Sequence, residues 1–364
     1  MHSKIPFMNY FTPTFVADEL KAGNNILRMA EKAKANGLLF RPHFKTHQSV
    51  EAGEWFRSEG VTAITVSSVE MAQRFAGAGW NDITIAFPHN PHESEAVAAL
   101  ADNINLNLLF DNPVQAAAAA SAVRNTTGFF IKADTGYHRA GILPGDDAAI
   151  SCILDAAKES PLRFKGFLTH AGHTYRAKDP EQVLKIHLNS TQALAGMKAR
   201  YLDAFPEIIA SAGDTPSCSI ANEFQDVDEI RPGNFVYYDL MQWMLGSCTF
   251  HRIAAAVICP VISVYPHRNE ALILGGAVHL SKESLQIKGE ETVFGLAVPF
   301  INGKWENAQG HDYLTSLSQE HGILQTNSPW AKNLKPGDCI AVIPVHSCLA
   351  ADLLVAKNKF YIVR

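Results

Sequence analysis

Four ionisable residues occupy every second position of "LLFRPHFKTHQS" (38–49): Arg41, His43, Lys45 and His47. Alternate side chains of a β-strand share a face, so the spacing predicts one face carrying all four, with Pro42, Phe44 and Thr46 on the other. Inside a barrel such a face crowds cations around a single lysine. An amine near its ordinary pKa of about 10.4 is a poor nucleophile at neutral pH. Desolvation and neighbours such as Arg41 lower that value and free the amine for Schiff-base chemistry. The plain alternative is a lysine whose stem lies along the surface with its head in water.

Further along, "IKADTGYHRAGI" (131–142) brings Asp134, His138 and Arg139 into a glycine-bearing turn. Arg139 offers a planar fork of donors to an oxyanion or phenolate; the alternative is an Asp–Arg pair that braces the loop. "LTHAGHTY" (168–175) supplies His170, His173 and Tyr175, which suit general acid–base work. "IASAGDTPS" (209–217) holds Ser211, Gly213 and Thr215, and "EIRPGNFVYYD" (229–239) holds Arg231, Gly233 and Asn234. Backbone N–H groups in such turns cradle anions and hydroxyls complete the cradle. In "VIPVHSCLAADL" His346 and Cys348 stand two apart. On a strand they face the same way, and imidazole with thiolate suits zinc; a packed strand with a buried cysteine is the bland reading.

The elements that must position these groups alternate. Short apolar runs (Leu38–Phe40, 62–66, 83–87, 105–110, 128–133, 164–170, 207–211 and 228 to about 238) are separated by helix-like stretches such as "SVEMAQRFAGAG". That alternation predicts an α/β fold with a parallel sheet. Eight runs is the number that closes a (β/α)8 TIM-type barrel, with a doubly wound open sheet as the alternative. Lys45, Asp134, His170 and Ser211 then lie at or just past strand C-terminal ends, where barrels carry their active sites. After residue 241 the runs are strands separated by Gly, Pro and Asn turns. The expected organisation is a barrel over 15–240 and a C-terminal antiparallel β domain over 241–364, joined by 1–14.

The 364 residues are 47% hydrophobic and carry a formal net charge of −5 without a basic run. This argues against nucleic acid or an anionic membrane as partner. The N-terminal residues lack a signal-peptide pattern and no apolar stretch is long enough to span a bilayer. Six scattered cysteines without CxxC spacing read as reduced thiols of a cytoplasmic protein.

Taken together, these residues resemble the D-serine dehydratase and D-threonine aldolase group of fold-type III pyridoxal-phosphate enzymes, relatives of alanine racemase. The likeness runs through nearly the whole chain, and "RPHFKTH" is its most specific part. It implies that Lys45 carries pyridoxal 5'-phosphate, Arg139 holds the cofactor's phenolate oxygen and His170 lies beside the pyridine ring. Ser211, Gly213, Thr215, Gly233 and Asn234 would bind the phosphate, and Arg231 would address the ring nitrogen. His173 and Tyr175 would line the substrate side with catalytic roles. His346 and Cys348 match the metal pair of the lyases, for Zn²⁺ or another divalent ion such as Mn²⁺. A D-3-hydroxy amino acid is the implied substrate and a homodimer the implied assembly. A Cys at the second metal position points to a dehydratase acting on D-serine. However, "HSCLAADL" lacks the Pro-Thr that commonly follows that Cys, and Gly275 stands where many relatives carry Asp. Those departures keep D-threonine aldolase and 3-hydroxyaspartate dehydratase open, beside an amino-acid racemase and a non-catalytic cofactor binder.

Overall fold

The computed structural model describes residues 10–287, 291–308 and 311–363; residues 1–9 of the N-terminal stretch expected to join the β domain lie outside them. Asn24–Phe235 with Leu245–Ser247 form one compact unit. Its eight parallel strands follow the order Leu39–Phe40, Glu229–Ile230, Ile209–Ala212, Leu162–Leu168, Thr127–Lys132, Asn105–Phe110, Asp82–Ile85, Ile64–Val66. The two ends of that row meet at a parallel bridge between His43 and Thr65. There the Phe44 N–H donates to the Thr65 carbonyl and the Thr65 N–H to the Pro42 carbonyl, each at 2.9 Å. The sheet is therefore a closed barrel.

Each strand of a parallel sheet buries both faces, which is why apolar runs marked them. Leu109, Phe130 and Leu168 on three successive strands pack together with Ile209 on the next. Several helices begin at once after a strand-end turn because a short polar side chain caps them. Ser49 accepts from the Ala52 N–H, Ser68 from Met71, Asn112 from Gln115 and Asp179 from Gln182. The eighth run is shorter than its apolar length: Pro232 has no N–H to donate, and the strand ends at Ile230.

The second unit combines the described residues up to Gly23, Val236–Met244 and the described residues from Cys248 onward. The strand Thr14–Asp18 belongs to this unit: it pairs antiparallel with Ala255–Tyr265 and parallel with Phe360–Val363. The row Lys304–Trp305, Gly295–Ile301, Cys339–Pro344, Ala255–Tyr265, Glu270–Leu274, His321–Gln325, Leu314–Leu317 completes a nine-stranded, mainly antiparallel sheet. Among the described residues no helix is long and apolar enough to cross a membrane.

Candidate active site

The opening pattern is not a strand beyond Phe40. Residues 44–47 form a turn, so the four ionisable groups of "RPHFKTH" do not share a face. Arg41 points between a buried and a part-exposed carboxylate: its Nε donates to Glu229 Oε2 at 2.7 Å and its Nη1 to Asp82. Burial opposes its charge, but Glu229 and Asp82 outweigh that and raise its pKa. It is thus neutralised rather than free to depress an amine. His47 is a core residue, fully buried among Phe44, Phe56 and Phe75 with its pKa down to about 3 through desolvation. His43 and half-buried Lys45 remain at the barrel mouth.

Around them the strand ends bring together other expected residues. His43 is held well below the ordinary histidine range by burial and by the charges of Lys45, Arg231 and His170. His170 is lowered likewise, by burial first and then by Lys45 and Lys132. Its Nδ1 lies 2.8 Å from the Gly213 carbonyl. A carbonyl only accepts, so Nδ1 carries the proton and Nε2 keeps its lone pair. Arg231, 4% exposed, donates through Nε to Ser211 Oγ at 2.6 Å and through Nη2 to the Thr169 carbonyl; burial brings its pKa to about 10. Ser211 in turn donates to Glu229 Oε1 at 2.6 Å. Ser211, expected on the phosphate, thus spends its hydroxyl between Glu229 and Arg231. Thr215 and Ser217 keep hydroxyls left over in that turn, both buried with no partner for Oγ1 or Oγ. Gly233 lies so close to the His43 carbonyl that a Cβ would stand 2.8 Å from it, which brings the Arg231–Asn234 turn against the lysine turn.

In the loop after Thr127–Lys132 the bracing partner of Asp134 is not Arg139. Its carboxylate accepts from the Gly136 and His138 N–H groups at 3.0 and 2.9 Å. Arg139 lies over the ring of Tyr137, 4.9 Å from its centroid. Tyr137 also stacks on His173 at 6.1 Å and meets His170 edge-on at 6.2 Å, while Tyr175 lies 6.3 Å from His170. His173 has a buried Nδ1 without a partner and a pKa lowered by burial. Two residues that sequence reasoning passed over belong here. One is Tyr137; the other is Lys132, which burial, Arg231 and Arg139 bring down to about 7. The signal for Lys132 was a lysine closing the apolar run "GFFIKA". A cavity of about 250 Å³ opens at three other strand ends, lined by Ser67, His89, Asn90 and Leu108 among others. None of the residues singled out lines it, so the titratable cluster lies elsewhere on the rim.

In the β-rich unit the strand expected to carry the metal pair stops at Pro344. His346 is the N-cap of the helix Ser347–Val355 and Cys348 lies in its first turn. Fully buried Asp239 anchors this turn: its Oδ2 accepts the Ser347 N–H at 2.9 Å and lies 3.9 Å from His346 Nδ1. The Tyr237 hydroxyl is buried without a partner, and its pKa is raised by burial and by Cys348 nearby. Among the described residues no group of three or more His, Cys, Asp or Glu side chains could hold a metal. A thiolate–imidazole pair with open positions suits a borderline-soft ion that takes its other ligands from water or substrate.

Comparison with known proteins accords with both halves. The alanine racemase N-terminal domain matches residues 19–240, and the putative serine dehydratase domain matches 254–357. The chain is 28% identical to D-serine dehydratase of Dictyostelium discoideum, covering 95% of this chain and 92% of that one. It is 29% identical to D-threo-3-hydroxyaspartate dehydratase of Delftia sp. (strain HT23), with 93% and 90% covered. The solved structure of the Delftia enzyme matches with a TM-score of 0.85 at 27% identity, over 94% of this chain and 92% of that one. Two solved mutants of a D-threo-3-hydroxyaspartate dehydratase replace a histidine and a cysteine two positions apart, the latter in the metal-free form. An alanine racemase of Clostridium difficile 630 shares the fold, with a TM-score of 0.64 at 11% identity, over 93% of this chain and 92% of that one. The chain belongs to the alanine racemase N-terminal domain family, in the branch of lyases that carries the putative serine dehydratase domain behind it.

Proposed function

We propose that this enzyme is a pyridoxal-phosphate- and divalent-metal-dependent lyase of D-3-hydroxy amino acids, and that it converts D-serine to pyruvate and ammonia. The observation that carries this reading is the gathering of Lys45, His43, His170, Lys132, Arg139 and Arg231 at the mouth of one barrel. Cations and neutral imidazoles on that scale suit an anionic cofactor. The unpartnered Thr215 hydroxyl fits a phosphate oxygen, and the Cys348 thiol beside the unpartnered Tyr237 hydroxyl fits a metal.

When bound, the cofactor supplies an electron sink for breaking the Cα–H bond, and the metal a Lewis acid for the departing β-hydroxyl. The chain does the rest. Lys45 Nζ would hold the cofactor at rest and, once released as a free amine, would accept the Cα proton. His170 stays neutral and keeps its ring fixed through the Gly213 carbonyl. Arg231, locked by Ser211 and Thr169, presents a fixed cation to the ring nitrogen. Arg139 serves the phenolate oxygen, Gly213, Thr215, Gly233 and Asn234 the phosphate, and His173 and Tyr175 the substrate. His346 and Cys348 hold the metal. The six cysteines, none of them in a disulfide, accord with a reducing, cytoplasmic setting, and a homodimer completes the reading.

A second reading, D-threo-3-hydroxyaspartate dehydratase, is favoured by the equal similarity to the Delftia enzyme. The experiment is a product assay on the purified protein with D-serine, D-threo-3-hydroxyaspartate and D-threonine, each with and without a chelator. Chelator-sensitive pyruvate and ammonia from D-serine support the proposal. Oxaloacetate from the hydroxyaspartate moves the substrate to the second reading. Glycine and acetaldehyde from D-threonine replace the dehydratase by an aldolase.

A further inference from the structure

Thr174 sits between His173 and Tyr175 in the single turn Gly172–Arg176, and Asp214 sits between Gly213 and Thr215. Both are buried, Thr174 completely and Asp214 to 4% exposure. One oxygen of Asp214 serves both turns. Its Oδ1 accepts the Ser217 N–H at 2.8 Å, capping the short helix Thr215–Ile220, and accepts the Thr174 hydroxyl at 2.8 Å. Thr174 Oγ1 also lies 2.9 Å from the Ala171 carbonyl. A hydroxyl has one proton to give, and a carboxylate is the stronger acceptor. Beside this tie, His170 Nδ1 lies on the Gly213 carbonyl, upstream of His173, and the Asp214 charge acts on His173 itself.

We propose that Asp214 is a positioning residue that yokes the phosphate turn to the turn bearing His173 and Tyr175, so that a phosphate seated at Gly213–Thr215 orders the substrate side. The inference rests on the cofactor reading above. Asp214 acts through the Thr174 hydroxyl, and its charge also reaches His173. Neither residue stood out in the sequence, since each is an ordinary polar residue whose partner lies 40 positions away.

The test uses the full-length chain, with inorganic phosphate and then pyridoxal phosphate as probes, and reads amide hydrogen exchange. Thr174→Val removes the hydroxyl and keeps the shape; Thr174→Ser keeps the hydroxyl. In the wild type phosphate should slow exchange in both 172–176 and 213–218. In Thr174→Val it should slow only 213–218, with the effect at 172–176 reduced about ten-fold, and Thr174→Ser should behave as wild type. Affinity for pyridoxal phosphate should change less than about three-fold in Thr174→Val, because the Ser217 cap survives, while kcat falls about ten-fold. Undiminished slowing at 172–176 in Thr174→Val, or slowing confined to 213–218 in the wild type, overturns the yoke alone. If neither probe slows 213–218 in the wild type, the cofactor reading itself falls and the yoke with it.

Discussion

Glu229→Gln exchanges one oxygen for an NH₂ at the centre of the buried network, and it should destabilise the apoprotein by about 3 kcal/mol. Glu229 is fully buried; Oε2 receives Arg41 Nε at 2.7 Å, Oε1 receives the Ser211 hydroxyl at 2.6 Å, and Arg231 Nε lies 4.0 Å away. A carboxamide offers one acceptor oxygen. If that oxygen keeps Arg41, the NH₂ faces Ser211, whose hydroxyl must turn and lose its own acceptor. Two buried guanidinium groups then share one fewer negative charge. Removing one member of a buried pair costs about 3–5 kcal/mol. Asp82 still holds Arg41, so the lower end applies. At about 2–4 °C per kcal/mol the melting temperature should fall by about 6–12 °C, read by calorimetry on the cofactor-free protein. In an Arg41→Leu background the same change should cost about half as much, because one of the two stranded cations is gone. A wild-type-like melt for Glu229→Gln, within about 2 °C, would refute the view that this carboxylate neutralises the floor of the site.

His47 supplies the pH test. Its folded pKa of about 3 lies below an unfolded value near 6.5, so the unfolded chain binds the extra proton. Stability is therefore full above pH 6.5 and lost as pH falls, by about 1.4 kcal/mol per unit from this group. His47→Leu gives up the bond to the Ser49 carbonyl, about 1 kcal/mol, and removes an unpartnered buried Nε2 of comparable cost. It should match the wild type within about 1 kcal/mol at pH 7.5 and decline less steeply on acidification, measured by urea unfolding. Lys45→Ala should abolish the visible absorption of bound cofactor; a band that persists would displace the lysine assignment. Cys348→Ala should lose metal, by elemental analysis, and at least about a hundred-fold in dehydration rate while retaining cofactor, and full turnover would remove the metal from the reaction.

The barrel was legible because parallel strands buried on both faces leave apolar runs, and the residues past their ends were legible as polar punctuation. The period-two reading of "RPHFKTH" failed because the strand ends at Phe40 and the chain turns. Arg41 went to Glu229, 188 residues away, and His47 to an aromatic pocket. Neither partner can be inferred from local spacing. "VHSC" failed similarly: Asp239 fixes the Ser347 N–H and starts a helix where alternation suggested a strand. Ser211 looked like a free hydroxyl in a glycine-bearing turn, and only the fold supplies the guanidinium and carboxylate that claim it.

The pairing order of the barrel has a consequence for how the molecule assembles. From Ile64–Val66 to Glu229–Ile230 every strand pairs with its neighbour in sequence, so each of those contacts closes only one crossover connection. The bridge of His43 to Thr65 also closes one connection, so the pairing of Leu39–Phe40 with Glu229–Ile230 alone joins the far ends of the unit. Closing so long a loop carries the largest entropic cost and comes late in folding. The turn with Lys45 hangs on Leu39–Phe40. The lysine turn and the Arg231–Asn234 turn therefore stand against each other only when the two ends of the barrel have met.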